Sequence, residues 1–169
     1  MREGTPMLNE KAGDMEEGNY YIPIFLTKTG DMERRTIKIS LCEDNAYYNT
    51  LLSRKISCYI AQLEEIENID FDLECYTTRK ECLKNIDLDV HLLITDYYLE
   101  QGSTAQELIH KVRRLCDHCT IIILSTAKHS HVIDDLLKEG VESFIHKDEQ
   151  TLLSIYQTID RLLKNEVKK

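Results

Sequence analysis

The sequence predicts an α/β protein with a doubly wound, five-stranded parallel sheet between two layers of helices, a three-layer αβα arrangement. Two observations lead to this fold class. From Thr36 onward, strand-like and helix-like hydrophobic patterns alternate through five successive units. Residues 120–124, TIIIL, form a continuous apolar run, which is typical of a parallel strand covered on both faces. Consecutive strand-helix units join parallel strands through right-handed crossovers.

The individual elements follow in a regular order. The predicted strands cover residues 36–41, 71–78, 91–95, 120–124 and 143–146. The second helix is short, residues 79–85, and the fourth lies within residues 128–140 and ends at Gly140 as its cap. The other three helices are marked by apolar stripes at helical spacing: Leu52, Ile56, Tyr59, Ile60 and Leu63 in the first; Leu108, Ile109, Val112 and Leu115 in the third; Leu152, Ile155, Tyr156, Ile159, Leu162 and Leu163 in the fifth.

The 169 residues are enough for one domain with a real core and too few for two. We expect a partly disordered leader over residues 1–35, the folded domain over 36–166 and a tail over 167–169. Only a few residues follow the last helix, so no separate output domain is expected.

Composition excludes several kinds of partner. Thirty acidic against 21 basic residues give a net charge of −9, so the surface should repel nucleic acid and anionic membranes. The sequence has no apolar run long enough to span a membrane and no secretory signal, which predicts a cytoplasmic protein. The six cysteines are accordingly expected to be reduced.

The predicted strands end in residues that carry chemistry. Glu43 and Asp44 follow the first strand, and Asp96 follows the third. Ser125 and Thr126 follow the fourth strand, and Lys147 follows the fifth. In doubly wound sheets, ligands bind beyond the carboxyl ends of the strands, close to the point where strand order reverses. We therefore expect these side chains to meet at one edge.

Three carboxylates repel one another unless a cation or raised pKa values relieve the repulsion. Mg²⁺ fits because it takes oxygen ligands, commonly one or two carboxylates together with phosphate oxygens. Lys147 and a hydroxyl would complete an electrostatic cradle for a phosphoryl group. Asp96 would then be the nucleophile, forming an aspartyl phosphate, while Glu43 and Asp44 hold the metal.

Four motifs resemble those of the receiver domains of bacterial two-component response regulators, over roughly residues 36–166. They are LCEDN after the first strand, LITDYYL around Asp96, IIILSTA after the fourth strand and FIHKD around Lys147. The intervals of 29 residues from Asp96 to Ser125 and 22 from Ser125 to Lys147 are close to those of the family. The FIHKDE segment, with Asp148 where the family often has proline, is similar to receivers of LytTR-type regulators. The resemblance implies a flavodoxin-like receiver fold.

The resemblance also assigns roles near the phosphoacceptor. Asp96 would accept a phosphoryl group from a histidine kinase or a phosphotransfer protein. Asp44 and Asp96, with the backbone carbonyl of Tyr98, would ligate Mg²⁺, with Mn²⁺ as an alternative ion, and Glu43 would act directly or through water. The loop after Asp96 departs from the family because it lacks the usual Met-Pro pair.

Further roles concern the response to phosphorylation. Ser125 would hydrogen-bond the phosphoryl oxygen, and Lys147 would pair with it. Ser125 is preferred over Thr126 because counting from it puts Gly140 and Lys147 at their usual intervals. Phe144 falls at the aromatic switch position, which swings inward when the hydroxyl residue moves toward phosphate.

These expectations define a phosphorylation switch that is not an enzyme beyond its own phosphorylation and dephosphorylation. Its output would be the binding of an effector protein, or of a second copy through the face of the fourth helix, fifth strand and fifth helix. Two alternatives stay open: a receiver-like module that binds partners without phosphorylation, and the receiver portion of a longer DNA-binding transcriptional regulator. An aspartate-nucleophile phosphatase is disfavoured because Tyr98 stands where a second aspartate is required.

Overall fold

The computed structural model describes residues 34–100, 102–126 and 130–167, without the side chains of 130, 131 and 167. Five parallel strands form one sheet in the order β2-β1-β3-β6-β7. Their bounds are β1 Thr36–Cys42, β2 Asp70–Tyr76, β3 Leu92–Asp96, β6 Thr120–Ser125 and β7 Ser143–His146. The predicted doubly wound parallel sheet is confirmed.

Helices cover both faces of this sheet. They are α1 Ala46–Glu67, α2 Arg79–Asn85, α3 Gln106–Leu115, α4 Ser130–Lys138 and α5 Thr151–Val167. One buried cluster joins α1 and α5 to the sheet, and a second joins α2, α3 and α4 to the opposite face. The three-layer arrangement follows, because strands buried on both sides need two separate helical layers.

Local sequence signals explain where α1 and α2 begin and end. The side chain of Asn45 accepts a hydrogen bond from the Tyr48 amide and caps α1, which ends at Asn68 in the left-handed region at φ 52°. Thr78 caps α2 by accepting from the Glu81 amide. This cap explains why β2 ends at Tyr76, two residues before the predicted end at Thr78.

The segment after β3 contains a feature that the sequence did not predict. Two-residue strands β4 Tyr98–Leu99 and β5 Ser103–Thr104 pair antiparallel and form a small hairpin before α3. Glu100 at its turn has φ 60°, and Gly102 has φ 78°. We call residues 98–104 the β4-β5 hairpin, of which residue 101 lies outside the described part.

Several expectations fall beyond what the structure tests. The predicted leader lies outside the described residues except for Arg34 and Arg35, and the predicted tail except for the backbone of Val167.

All six cysteines are free, as expected from the composition. Within the described ranges, no helix combines the length and the apolar character needed to cross a membrane.

Candidate functional site

Three carboxylates meet at the carboxyl edge of the sheet. Glu43 and Asp44 directly follow β1, and Asp96 is the last residue of β3, which pairs with β1. One oxygen from each of the three lies within 4.8 Å of the others. The chain crosses from β2 on one side of β1 to β3 on the other, so this is the topological switch point where such folds bind ligands.

Burial makes these carboxylates costly to ionise. Glu43 has no exposed surface, and its burial raises the pKa of its carboxyl above the usual value. Burial likewise raises the pKa of Asp96, and the negative charge of Asp44 adds to that shift. The donor set therefore suits a hard cation, because only oxygen ligands are offered and their mutual repulsion would be relieved by it.

Lys147 supplies the positive charge of the site. It follows β7, and its backbone amide donates to the Ser125 carbonyl at 2.8 Å. Its Nζ lies 2.6 Å from Oε2 of Glu43 and 2.8 Å from Oδ2 of Asp96. Burial lowers the pKa of Lys147, but hydrogen bonds to the two carboxylates outweigh burial and leave it raised. Lys147 is therefore a firmly charged bridge between the two buried acids.

The β4-β5 hairpin contacts the remaining carboxylate. The Glu100 amide donates to Oδ2 of Asp44 at 2.8 Å, which fixes the orientation of an otherwise exposed side chain. Tyr98 lies in β4, two residues after Asp96, and pairs with Thr104. Its predicted role as a carbonyl ligand stays a prediction. The sequence does not single out Glu100, because a backbone donor leaves no signature in side-chain type.

An open cavity of about 330 Å³ lies beside Lys147; we call it the site cavity. It is lined by Glu43, Asn45, Tyr47, Tyr48, Thr126 and Lys147. Tyr48 was not singled out from the sequence, although its spacing of four residues from Leu52 places it on the same face of α1. The Lys147 ammonium stands over the Tyr48 ring, 4.8 Å from its centroid.

The two neighbouring hydroxyl residues at the end of β6 are placed differently. Side chains alternate along a strand, so Ser125 shares the face of Ile123, which packs with Phe144 beneath α2, α3 and α4. Ser125 is fully buried, whereas Thr126 is exposed and lines the site cavity. The structure thus brings Thr126, rather than Ser125, to the cavity. The hydrogen bond predicted for Ser125 stays a prediction.

Phe144 lies in β7 on the same side of the sheet as Ser125. Its half-buried ring is 6.2 Å from the ring of Tyr97, the residue that follows Asp96. Tyr97 is itself buried, and its amide donates to the Leu124 carbonyl at 2.8 Å. A packed path therefore leads from the residue beside Asp96 to the predicted switch position.

No protein-family model and no curated protein matches the amino-acid sequence. Solved structures do match. The BeF₃-activated receiver domain of DrrB, a Thermotoga maritima protein, has a TM-score of 0.61 and 15% identity, covering 76% of this chain and 98% of that one. The non-phosphorylated HemR receiver domain from Leptospira biflexa has a TM-score of 0.62 and 15% identity, covering 75% and 94%.

A longer structure of DrrB, described as an OmpR/PhoB homolog, gives a TM-score of 0.60 at 15% identity. The match covers 78% of this chain and 54% of that one, so the chain spans about half the length of the longer protein. Sequence identities this low establish the fold alone. The chain has the fold of response regulator receiver domains, which confirms the fold that the resemblance implied.

Proposed function

We propose that residues 36–166 form a phosphorylation switch in which Asp96 accepts a phosphoryl group from a histidine kinase or a phosphotransfer protein. One observation carries the proposal: Lys147 bridges Asp96 and the fully buried Glu43, beside Asp44, at the switch point of the sheet. A structural ion pair alone would not require a third carboxylate, Asp44, within 4.8 Å of the other two.

The chemistry is a transfer between two nucleophiles. A carboxylate oxygen of Asp96 forms the new bond to phosphorus, and the bond from phosphorus to the donor imidazole nitrogen breaks. The imidazole keeps the electron pair and takes its proton from solvent. Phosphoryl transfer asks mainly for positioning and charge neutralisation, and Lys147 supplies the charge from 2.8 Å away.

Glu43, Asp44 and Asp96 are the residues that would hold Mg²⁺, or Mn²⁺, with the Tyr98 carbonyl completing the protein ligands. A bound divalent cation neutralises the charge that develops on the phosphoryl oxygens. The chain's own contribution is to hold Asp44 through the Glu100 amide and to keep Asp96 next to Lys147.

The proposed output is a change on the surface built by α4, β7 and α5, where an effector protein or a second copy of the chain would bind. Ser125 would turn toward the phosphoryl group, and Phe144 would occupy the space left behind it. Support comes from the shared face of these two residues and from the packing of Phe144 against Tyr97. The switch would act in the cytoplasm, without nucleic acid or membrane as a direct partner.

The experiment is incubation with acetyl phosphate and Mg²⁺ followed by intact mass measurement. The wild type should gain one phosphoryl group, the gain should disappear with EDTA, and the adduct should be labile to acid and hydroxylamine. Asp96→Asn should not be labelled, since an amide is a far poorer nucleophile. Asp72→Asn, an exposed aspartate in β2, is the matched control and should be labelled normally. Undiminished labelling of Asp96→Asn would overturn the assignment, and no labelling at all would favour a passive binding module.

A further inference from the structure

Lys147 has a third neighbour besides its two carboxylates. The ring of Tyr48 lies under the ammonium, with 4.8 Å between Nζ and the ring centroid. This distance is within the range in which a cation is attracted by the negative face of an aromatic ring. The ammonium is thus held by Glu43 and Asp96 and by an aromatic surface.

Such a third contact matters because of the length of the lysine side chain. Its four-carbon stem has many rotamers, and holding them in one arrangement is entropically costly. Lys147 follows β7, whereas Asp96 ends β3, and β6 lies between these strands. The stem must therefore reach across the end of β6 to bridge the carboxylates. An aromatic wall limits the arrangements that it can adopt.

Tyr48 is itself well fixed. It lies in the first turn of α1, where its amide donates to the Asn45 cap at 2.9 Å. Its side chain packs against the core cluster beneath α1 and α5, on the stripe that continues through Leu52 and Ile56. Tyr48 therefore extends the buried face of α1 by one turn into the site cavity, so the ring position is set by the helix.

We propose that Tyr48 is a positioning residue, whose ring holds the Lys147 ammonium between Glu43 and Asp96 in readiness for the phosphoryl group. The proposal rests on the function proposed for Asp96. It requires the face of an aromatic ring at position 48 and does not require the hydroxyl. Phenylalanine at position 48 should therefore still hold the Lys147 ammonium in place, whereas an aliphatic side chain of similar size should not.

The first test measures the contact directly and needs no phosphorylation. In NMR spectra of the full chain labelled with ¹³C- and ¹⁵N-lysine, Lys147 is assigned by the signal lost in Lys147→Arg. Protons above a ring face are shifted upfield, so the Lys147 ε-methylene should show this shift in the wild type and in Tyr48→Phe. Tyr48→Leu should lose it, and Tyr48→Met provides a second aliphatic variant should Tyr48→Leu fail to fold.

The second test measures the consequence. The rate constant for phosphorylation by acetyl phosphate with Mg²⁺ should fall about threefold to tenfold in Tyr48→Leu, the range expected for losing a partly desolvated cation–π contact. Tyr48→Phe should stay close to the wild type. Tyr59→Leu is the matched control: Tyr59 lies on α1 but stacks on Tyr156, so its loss should lower stability without slowing phosphorylation.

The outcomes separate the two proposals. A Lys147 shift that persists in Tyr48→Leu, or a Tyr48→Phe variant as slow as Tyr48→Leu, would overturn the positioning role. If Tyr59→Leu slowed phosphorylation as much as Tyr48→Leu, the slower rate would reflect lost stability. That result would overturn the positioning role as well. If the shift follows the ring while neither the wild type nor any variant takes up phosphate, the ring holds Lys147 and the function proposed for Asp96 is wrong.

Discussion

The Lys147 ammonium lies 2.8 Å from Oδ2 of Asp96, although their strands, β7 and β3, are not neighbours in the sheet. The same ammonium is 2.6 Å from Glu43, beyond β1 on the far side of β3. One side chain therefore ties together the ends of three strands. Its two acidic partners are buried enough for their ionisation to depend on it.

The first prediction concerns removal of this bridge. Lys147→Ala should still fold but should lose about 2 kcal/mol of stability at neutral pH without Mg²⁺, less than the 3–5 kcal/mol typical of breaking a fully buried pair because Glu43 can take up a proton. The variant should still accept phosphate at Asp96, more slowly than the wild type, and should fail to change partner binding. Urea unfolding and sedimentation with and without acetyl phosphate measure both effects.

Lys147→Arg is the control, because it keeps the charge while changing the shape of the cation. It should recover most of the stability. Normal phosphorylation-dependent association of Lys147→Ala would contradict the role of Lys147 in transmitting the signal.

The second prediction is a pH dependence centred on Glu43. Its pKa is raised by burial, so the folded chain holds the proton more tightly than the unfolded chain, where the pKa is near 4.5. The stability gained from this proton is fully present below the unfolded pKa and is lost as pH rises through the folded pKa. Without Mg²⁺, the wild type should therefore gain stability relative to Glu43→Gln as pH falls from 8 toward 4.5.

The measurement is urea unfolding of both proteins at several pH values, since carboxyl groups that do not interact with Glu43 cancel in the difference. One proton limits the slope to about 1.4 kcal/mol per pH unit. If the difference in unfolding free energy between the two proteins does not change with pH, burial does not control this carboxyl. The same conclusion would follow if the wild type gained stability relative to Glu43→Gln as pH rises.

Much of this site could be predicted because it depends on strand ends. The apolar runs fixed the order of strands and helices, and parallel strands bring residues such as Glu43, Asp96 and Lys147 to one edge whatever their separation in the chain. Residues 79–85 and 143–146 were predicted with their observed bounds because Thr78 caps one segment and Gly140 ends the helix before the other.

The remaining features depend on backbone geometry or on side-chain direction. The β4-β5 hairpin has two-residue strands, too short for any alternation to show, and its contact with Asp44 uses a backbone amide. The choice between Ser125 and Thr126 was made by residue intervals, which do not report which face of the sheet a side chain occupies. Only the register of β6 with its neighbours reveals that.

The third prediction separates these two hydroxyl residues. Ser125 is buried on the side of Phe144, so Ser125→Ala should change the rate of phosphorylation by about twofold or less while abolishing the conformational response. Thr126→Ala widens the site cavity and should alter the rate or the lifetime of the phosphoryl group while leaving the response intact. Rates from intact mass and the response from amide exchange measure the two effects. If Thr126→Ala lost the response and Ser125→Ala kept it, Thr126 rather than Ser125 would be the switching residue.

The last prediction concerns the surface of α4, β7 and α5. Beryllofluoride, a phosphoryl mimic, should bind with Mg²⁺ at Asp96, draw Ser125 inward and let Phe144 follow, shifting this surface between two populations. Without the hydroxyl of tyrosine, the inward state of Phe144 depends on packing, including its contact with Tyr97. A complete shift from 1:99 to 99:1 would need about 5.5 kcal/mol, and a partial shift needs less.

Amide exchange over residues 130–165 and sedimentation, each with and without beryllofluoride, measure this shift. Leu137 on α4 and Leu153 on α5 are exposed apolar side chains on the elements expected to change, so Leu153→Glu should weaken the beryllofluoride-dependent association. Ile66→Glu, at an apolar side chain that is even more exposed but lies near the end of α1, should leave association unchanged. Because Asp96 and Phe144 are linked through buried Tyr97, Tyr97→Ala should bind beryllofluoride but lose the change in exchange. Exchange that is insensitive to beryllofluoride in the wild type would mean that phosphorylation does not act through this surface.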